Sequence, residues 1–182
     1  MKLIIPGIVA LALSVGCATS RPDNADESVK DAKDIVDMFK KTDPGLDNFF
    51  ARAAGYAVFP SVGKGGLALG GAYGSGVLFD RGRAVGKTTL TQVTIGFQLG
   101  GQAYSEIIFL QTENNLADFK KGQFALAAQA SAVALSSGAS ANAKYQQGVA
   151  VFTSTKGGLM YEASVGGQKF SYEPFGERKA QK

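Results

Sequence analysis

The stretch GKGGLALGGAYGSG, residues 63–76, is glycine at seven of its fourteen positions, and its reading decides the fold. Such a run serves as a phosphate cradle, a slack linker, or sheet whose backbone must stay bare. GKGGLA, residues 63–68, satisfies the loosest dinucleotide fingerprint, but that motif needs a helix after it. LALGGAYGSG makes a poor helix, because each glycine costs roughly 1 kcal/mol relative to alanine. Read as a strand, the segment alternates, with Leu67, Leu69, Gly71 and Tyr73 on one face and Ala68, Gly70 and Ala72 on the other. One face is bulky and the other nearly bare, so a second layer of protein or an acyl chain has room to approach the backbone. Gly74 to Gly76 supply a bend, and residues 67–80 are expected as strand, bend and strand in a strongly curved sheet.

Outward from this stretch the period stays near two. In TQVTIGFQLG, residues 91–100, Val93, Ile95, Phe97 and Leu99 alternate with Gln92, Thr94, Gly96 and Gln98, which predicts a half-buried strand with the apolar set inside. AYSEIIFLQ, residues 103–111, is a second strand, with Gly100 and Gly101 as a tight turn between the two. Glu106, inside that apolar run, is expected to face outward. GVAVFTS, LMYEASV and QKFSYE read as three further strands in consecutive antiparallel hairpins, the last two joined through Gly166 and Gly167. GRAVGKTT, residues 82–89, has three residues between its glycines where a nucleotide-binding P-loop has four. The β-branched run that follows favours strand over the required helix, so no nucleotide is expected.

Before the sheet the period is helical. Asn24 and Glu27 have capping-box spacing, and Val29, Ala32, Ile35, Val36 and Phe39 form one apolar stripe up to about Lys41. Asp43 and Pro44 then read as N-cap and first residue of a second helix, which buries Leu46, Phe49, Phe50 and Ala53. ENNLADFKKG predicts a mid-chain helix with Leu116 and Phe119 inward and Gly122 at its C-cap. The alanine- and serine-rich segment 123–144 reads as a strand pair or an irregular segment packed on the sheet. The fold class is therefore α+β: a curved antiparallel sheet, or a flattened barrel or sandwich, with N-terminal helices and one mid-chain helix packed on it.

MKLIIPGIVALALSVGC opens with a basic residue and a short apolar stretch, the pattern of a signal peptide too short to span a membrane. SVGC resembles the bacterial lipoprotein processing site, which implies cleavage after residue 16 and acylation of Cys17. Cys17 is the only cysteine, so no intramolecular disulfide is possible. Two long acyl chains suffice for stable anchoring. Ala18 after the cysteine follows the sorting pattern for the outer membrane, whereas the face of that membrane is left open. The divisions are 1–16 signal peptide, 17–27 lipidated terminus and tether, 28–173 domain, and 174–182 tail.

The chemistry is narrowed by absence. With no histidine, His-based acid or base work and His metal ligation are excluded, and the single cysteine is assigned to the anchor. No enzyme activity, cofactor or metal is expected. A net charge of +4 is too small and scattered to argue for nucleic acid, although it suits contact with an anionic membrane.

AGYAVFPSVGKGGLALGGAYGSGVLF, TIGFQLGGQAYSEIIFLQTENNLADFKKG and YQQGVAVFTSTKGGLMYEASVGGQKF together resemble the successive blocks of the SYLF domain, over about residues 28–173. The segment from Arg81 to Leu90 departs from the family pattern by lacking its usual tryptophan and proline. The resemblance implies phospholipid binding, with phosphoinositides as ligands in eukaryotic members and actin as a partner of some. Actin is carried over by family analogy alone, since an exported bacterial lipoprotein meets it only at a host cell. Within this chain the candidate headgroup contacts are Lys64 in the glycine stretch and Arg81, Arg83 and Lys87 in the turn after GVLFD. The expected function is a non-enzymatic, lipid-anchored envelope protein that binds anionic phospholipid. The alternative is a structural or protein-interaction lipoprotein of the outer membrane with no specific lipid ligand.

Overall fold

A computed structural model of the chain describes residues 25–66, 69–95, 101–122, 125–126, 132–155 and 167–176. The helical stripe at the N-terminus becomes α1 (Ala25–Thr42), with Ala32 and Phe39 fully buried; its expected cap at Asn24 lies outside the described residues. Asp43 caps a single 3-10 turn, Pro44–Leu46, by accepting a 3.0 Å bond from the Gly45 N–H. α2 (Asp47–Arg52) follows directly. The mid-chain helix α3 (Glu113–Lys120) starts at a capping box in which Thr112 and Asn115 bond reciprocally, and it ends before Gly122 at φ +67°.

The glycine stretch is sheet, as expected, in a different layout. β1 (Gly55–Gly66) pairs antiparallel with β2 (Leu69–Asp80), and β2 with β3 (Arg83–Ile95). β2 runs unbroken through Gly74 and Gly76, so the expected bend there is not found. The bend lies instead in β1, where Phe59 and Pro60 together oppose the single residue Gly76, a β-bulge. Proline suits the bulge because it has no N–H to lose from the ladder. On the other side of β1 the Ser105 hydroxyl donates a 2.8 Å bond to the Pro60 carbonyl. Gly76 must be bare: a Cβ there would collide with the Val58 carbonyl and stand 2.8 Å from the Phe59 ring. At Gly76 and Gly74 the protein's own Phe59 and Val62 therefore fill the space that a side chain would need, while Ala68 of the expected bare face lies outside the described residues.

Completing the sheet are β4 (Gly101–Leu110), β5 (Ala125–Leu126), β6 (Ala132–Ala134), β7 (Val149–Thr155) and β8 (Gln168–Pro174), in the order β5-β8-β3-β2-β1-β4-β7-β6. All pairs are antiparallel except β6 with β7. The expected hairpin between β3 and β4 does not form, because β2 and β1 lie between them. The order β3-β2-β1-β4 is a Greek key, in which the fourth strand returns beside the first. At the C-terminal end β7 joins β4 while β8 joins β3; the two hairpins expected there both run through LMYEASV, which lies outside the described residues. Segment 123–144 supplies β5, β6 and a 3-10 turn, Ala139–Ala141, with 123–124 and 127–131 outside the described residues.

Two cores result, one on each face. On the outer face α1 and α2 cover an aromatic cluster in which Phe109 meets Phe50 at 4.8 Å and Phe152 at 5.8 Å, and Tyr56 stacks on Phe79 at 4.9 Å. The inner core holds Ala57, Phe59, Val62, Leu78, Leu90 and Ile108, closed at one end by Leu116 and Phe119 of α3. The sheet is rolled around this inner core. Phe170 of β8 stands 6.0 Å from Phe59 of β1, though three strand spacings of about 4.8 Å separate the two strands along the sheet.

Candidate functional site

Strand alternation from Val62 places Lys64 inside the roll, where it is 8 % exposed. Its cross-strand partner is Ala72, which faces Gln92 on β3, which in turn faces Gln168 on β8. From β4, Tyr104 and Glu106 turn to the same interior. Lys64, Gln92, Tyr104, Glu106 and Gln168 are all buried, and together they form a polar layer beyond the apolar end plugged by α3. Glu106 is therefore not the outward-facing residue expected. Its carboxylate accepts a 3.2 Å bond from Gln168 Nε2, across a sheet in which their strands are four positions apart, about 19 Å if it were flat. Complete burial pushes the Glu106 carboxyl up to about 8, against the smaller opposing effect of the Gln168 bond.

The outer surface at this end has the complementary composition. Tyr73 and Val93, on adjacent strands, are 58 % and 70 % exposed. The expectation that Val93 marks the buried side of its strand is thus reversed: Thr88, Leu90 and Gln92 point in and Val93 points out. Alternation was readable, but its sign follows from which side the sheet rolls toward.

The other candidates stand at the opposite end. Arg81 and Gly82, with φ +47° and +79°, form the two-residue turn between β2 and β3, as in type I′ hairpins. The Arg81 guanidinium pairs with Glu113 at 2.5 Å, and the neighbouring Asp80 accepts a 2.7 Å bond from Lys120, so both tie the turn to α3. Arg83 is exposed at the start of β3. Lys87, half-buried, faces the outer surface. It lines a groove of about 660 Å³ beneath α1 with Ser28, Asp31, Tyr73, Ser75 and Glu173. Lys64 lies nine residues along β1 from the Gly55 and Asp80 pair, roughly 30 Å away by strand rise. The structure thus brings Arg81 and Arg83 together and separates them from Lys64. Cys17 lies outside the described residues.

Gln92, Tyr104 and Gln168 did not stand out in the sequence. Each is a single polar or phenolic side chain on a strand, and nothing local distinguishes it from an outward-facing residue.

Fold and site together define an α+β protein built on one rolled Greek-key sheet whose interior is apolar at one end and polar at the other. Residues 91–174, which run from β3 to the end of β8 and hold four of the five interior polar residues, match the family described as Ysc84, Las17-binding protein actin regulator. Over this segment, a little under half of its length, the chain is similar to that family, in line with the resemblance to the SYLF domain. It is also similar to Beta cell expansion factor A of Aeromonas veronii, with 28 % identity over 139 residues, covering 75 % of this chain and 52 % of that protein. The chain therefore spans about half the length of this curated relative.

Proposed function

We propose that the protein is a non-enzymatic lipoprotein of the outer membrane, anchored through acylated Cys17, whose domain binds anionic phospholipid. The observation that supports this reading is the reversed polarity of the sheet beyond the bulge: Tyr73 and Val93 are exposed while Lys64, Gln92 and Gln168 are buried. Tyr73 and Val93, exposed on adjacent strands, offer apolar side chains for contact with lipid. Tyr suits the interface between lipid and water, with an apolar ring and a polar tip. Arg83 and Lys87 add positive charge on the same strand, suited to acidic headgroups.

The test is co-sedimentation of a Cys17→Ser chain, which has no acyl anchor, with phosphatidic acid, cardiolipin or neutral phosphatidylcholine vesicles at low salt. Binding to the acidic vesicles is expected. It should weaken when Tyr73 and Val93 are both changed to Ser, and lose its preference for acidic lipid when Arg81, Arg83 and Lys87 become Ala. Failure to bind any acidic vesicle would sink the proposal and favour an interaction protein without a lipid ligand.

A further inference from the structure

Glu106 and Gln168 meet inside the roll with their side-chain atoms only half paired. Gln168 Nε2 donates to Glu106 Oε2 at 3.2 Å, while Glu106 Oε1 and Gln168 Oε1 are buried without a partner. Both orphans are acceptors. An ionised Glu106 has no hydrogen to offer either, and leaving two buried oxygens unsatisfied beside a bare negative charge is costly. One proton on Oε1 changes the count. A carboxylic acid and a primary amide close a ring of two bonds, amide N–H to carbonyl and acid O–H to amide oxygen, and the second bond joins the two oxygens that lack partners here.

We infer that Glu106 carries a proton in the folded protein and closes a two-bond acid–amide ring with Gln168, making the pair a proton-dependent clasp across the rolled sheet. The clasp joins β4 to β8, strands four positions apart that share no backbone ladder. Among the described residues its surroundings contain no second acid. Among the described residues, the groups facing this interior are Lys64 from β1, Thr88 and Gln92 from β3, Tyr104 on Glu106's own strand, the cross-strand neighbour Thr153 from β7, Tyr172 from β8, and apolar Leu116 and Phe119 from α3. Burial rather than like-charge repulsion therefore holds the proton, which agrees with the upward displacement of the carboxyl.

The direction of the pH effect follows. The folded chain holds this proton up to about 8, whereas an exposed glutamate releases it near 4.5. Stability from the clasp is complete below that lower value and is lost as pH rises toward the upper one. Glu106→Gln replaces the acid with an amide of the same shape, which closes a similar ring with no proton to lose. In the full chain, denaturant unfolding of wild type and Glu106→Gln is compared from about pH 5 to 9. The wild-type folding constant should fall relative to the variant by up to about tenfold per pH unit until the upper value is passed, then level off. Parallel pH profiles would overturn the clasp. If the variant does not fold, the carboxyl 13C resonance of Glu106 in the wild type decides: titration near pH 8 is expected, and titration in the ordinary carboxylate range would overturn it.

Discussion

The two faces of the sheet are closed by different means. On the outer face α2 presses Phe49 and Phe50 onto Tyr56, Phe109 and Phe152, Tyr56 stacks on Phe79, and rings meeting at 4.8 to 6.1 Å seal it. On the inner face the sheet closes on itself, with apolar side chains at the α3 end and a layer of lysine, glutamine, tyrosine and glutamate at the other. The outer face is held by area and shape, which respond weakly to pH. The inner face depends on hydrogen bonds that must all be satisfied, and so on protonation.

Deleting a ring from the outer face should break this contrast most severely. Phe109→Ala removes a fully buried side chain that touches Phe49, Phe50, Tyr56 and Phe152, and should cost about 3 to 5 kcal/mol. Measured by denaturant unfolding at two pH values, the loss should be the same at both, in contrast to Glu106→Gln. An equally strong pH dependence for Phe109→Ala would erase the distinction between the faces.

A smaller effect is expected where the outer layer itself uses a charge. Asp43 not only caps the turn before α2 but also accepts a 2.6 Å bond from the Ser140 N–H, fastening the N-terminal helices to the turn at Ala139–Ala141. Burial alone would raise its carboxyl, but the bonds from Ser140, Gly45 and Gly138 outweigh it and hold the carboxyl below its ordinary value. Asp43→Ala should cost about 1 to 2 kcal/mol near neutrality. Its sign is opposite to that of Glu106. The contribution of Asp43 is present above the ordinary aspartate range and disappears as pH falls through the lowered value, so wild type and Asp43→Ala should converge in acid thermal melts.

The smallest effect belongs to the rim. The Arg81 and Glu113 pair is exposed on both sides, so Arg81→Ala should leave the unfolding midpoint within experimental scatter, and added salt should change little. A clear loss of stability would mean that the β2 to β3 turn helps to hold α3 over the inner core.

Local chemistry made much of this legible. The 3.6-residue stripe ending at Phe39, the Asp43-Pro44 restart and the Gly122 stop identified three helices, because caps and periodicity act over a few residues. The alternation around Glu106 and Gln92 marked strands. It did not reveal that both residues point inward, since alternation separates two faces without naming the buried one. Lys64, Arg81, Arg83 and Lys87 were readable as cations, but their separation along the sheet was not.

By itself the sequence determined the helices and the period-two strands among the described residues, and that histidine and intramolecular disulfide chemistry are absent. Only the tertiary structure decided that β4 pairs with β1 rather than β3, and that β7 and β8 lie apart. It also decided that the bulge at Pro60 shifts the inward set from Ala57 and Phe59 to Val62 and Lys64. The physical reason is range. Caps and periods act within a turn or two of chain, whereas strand order and the direction of the roll depend on contacts such as Phe59 with Phe170 and Glu106 with Gln168, made between residues far apart in sequence.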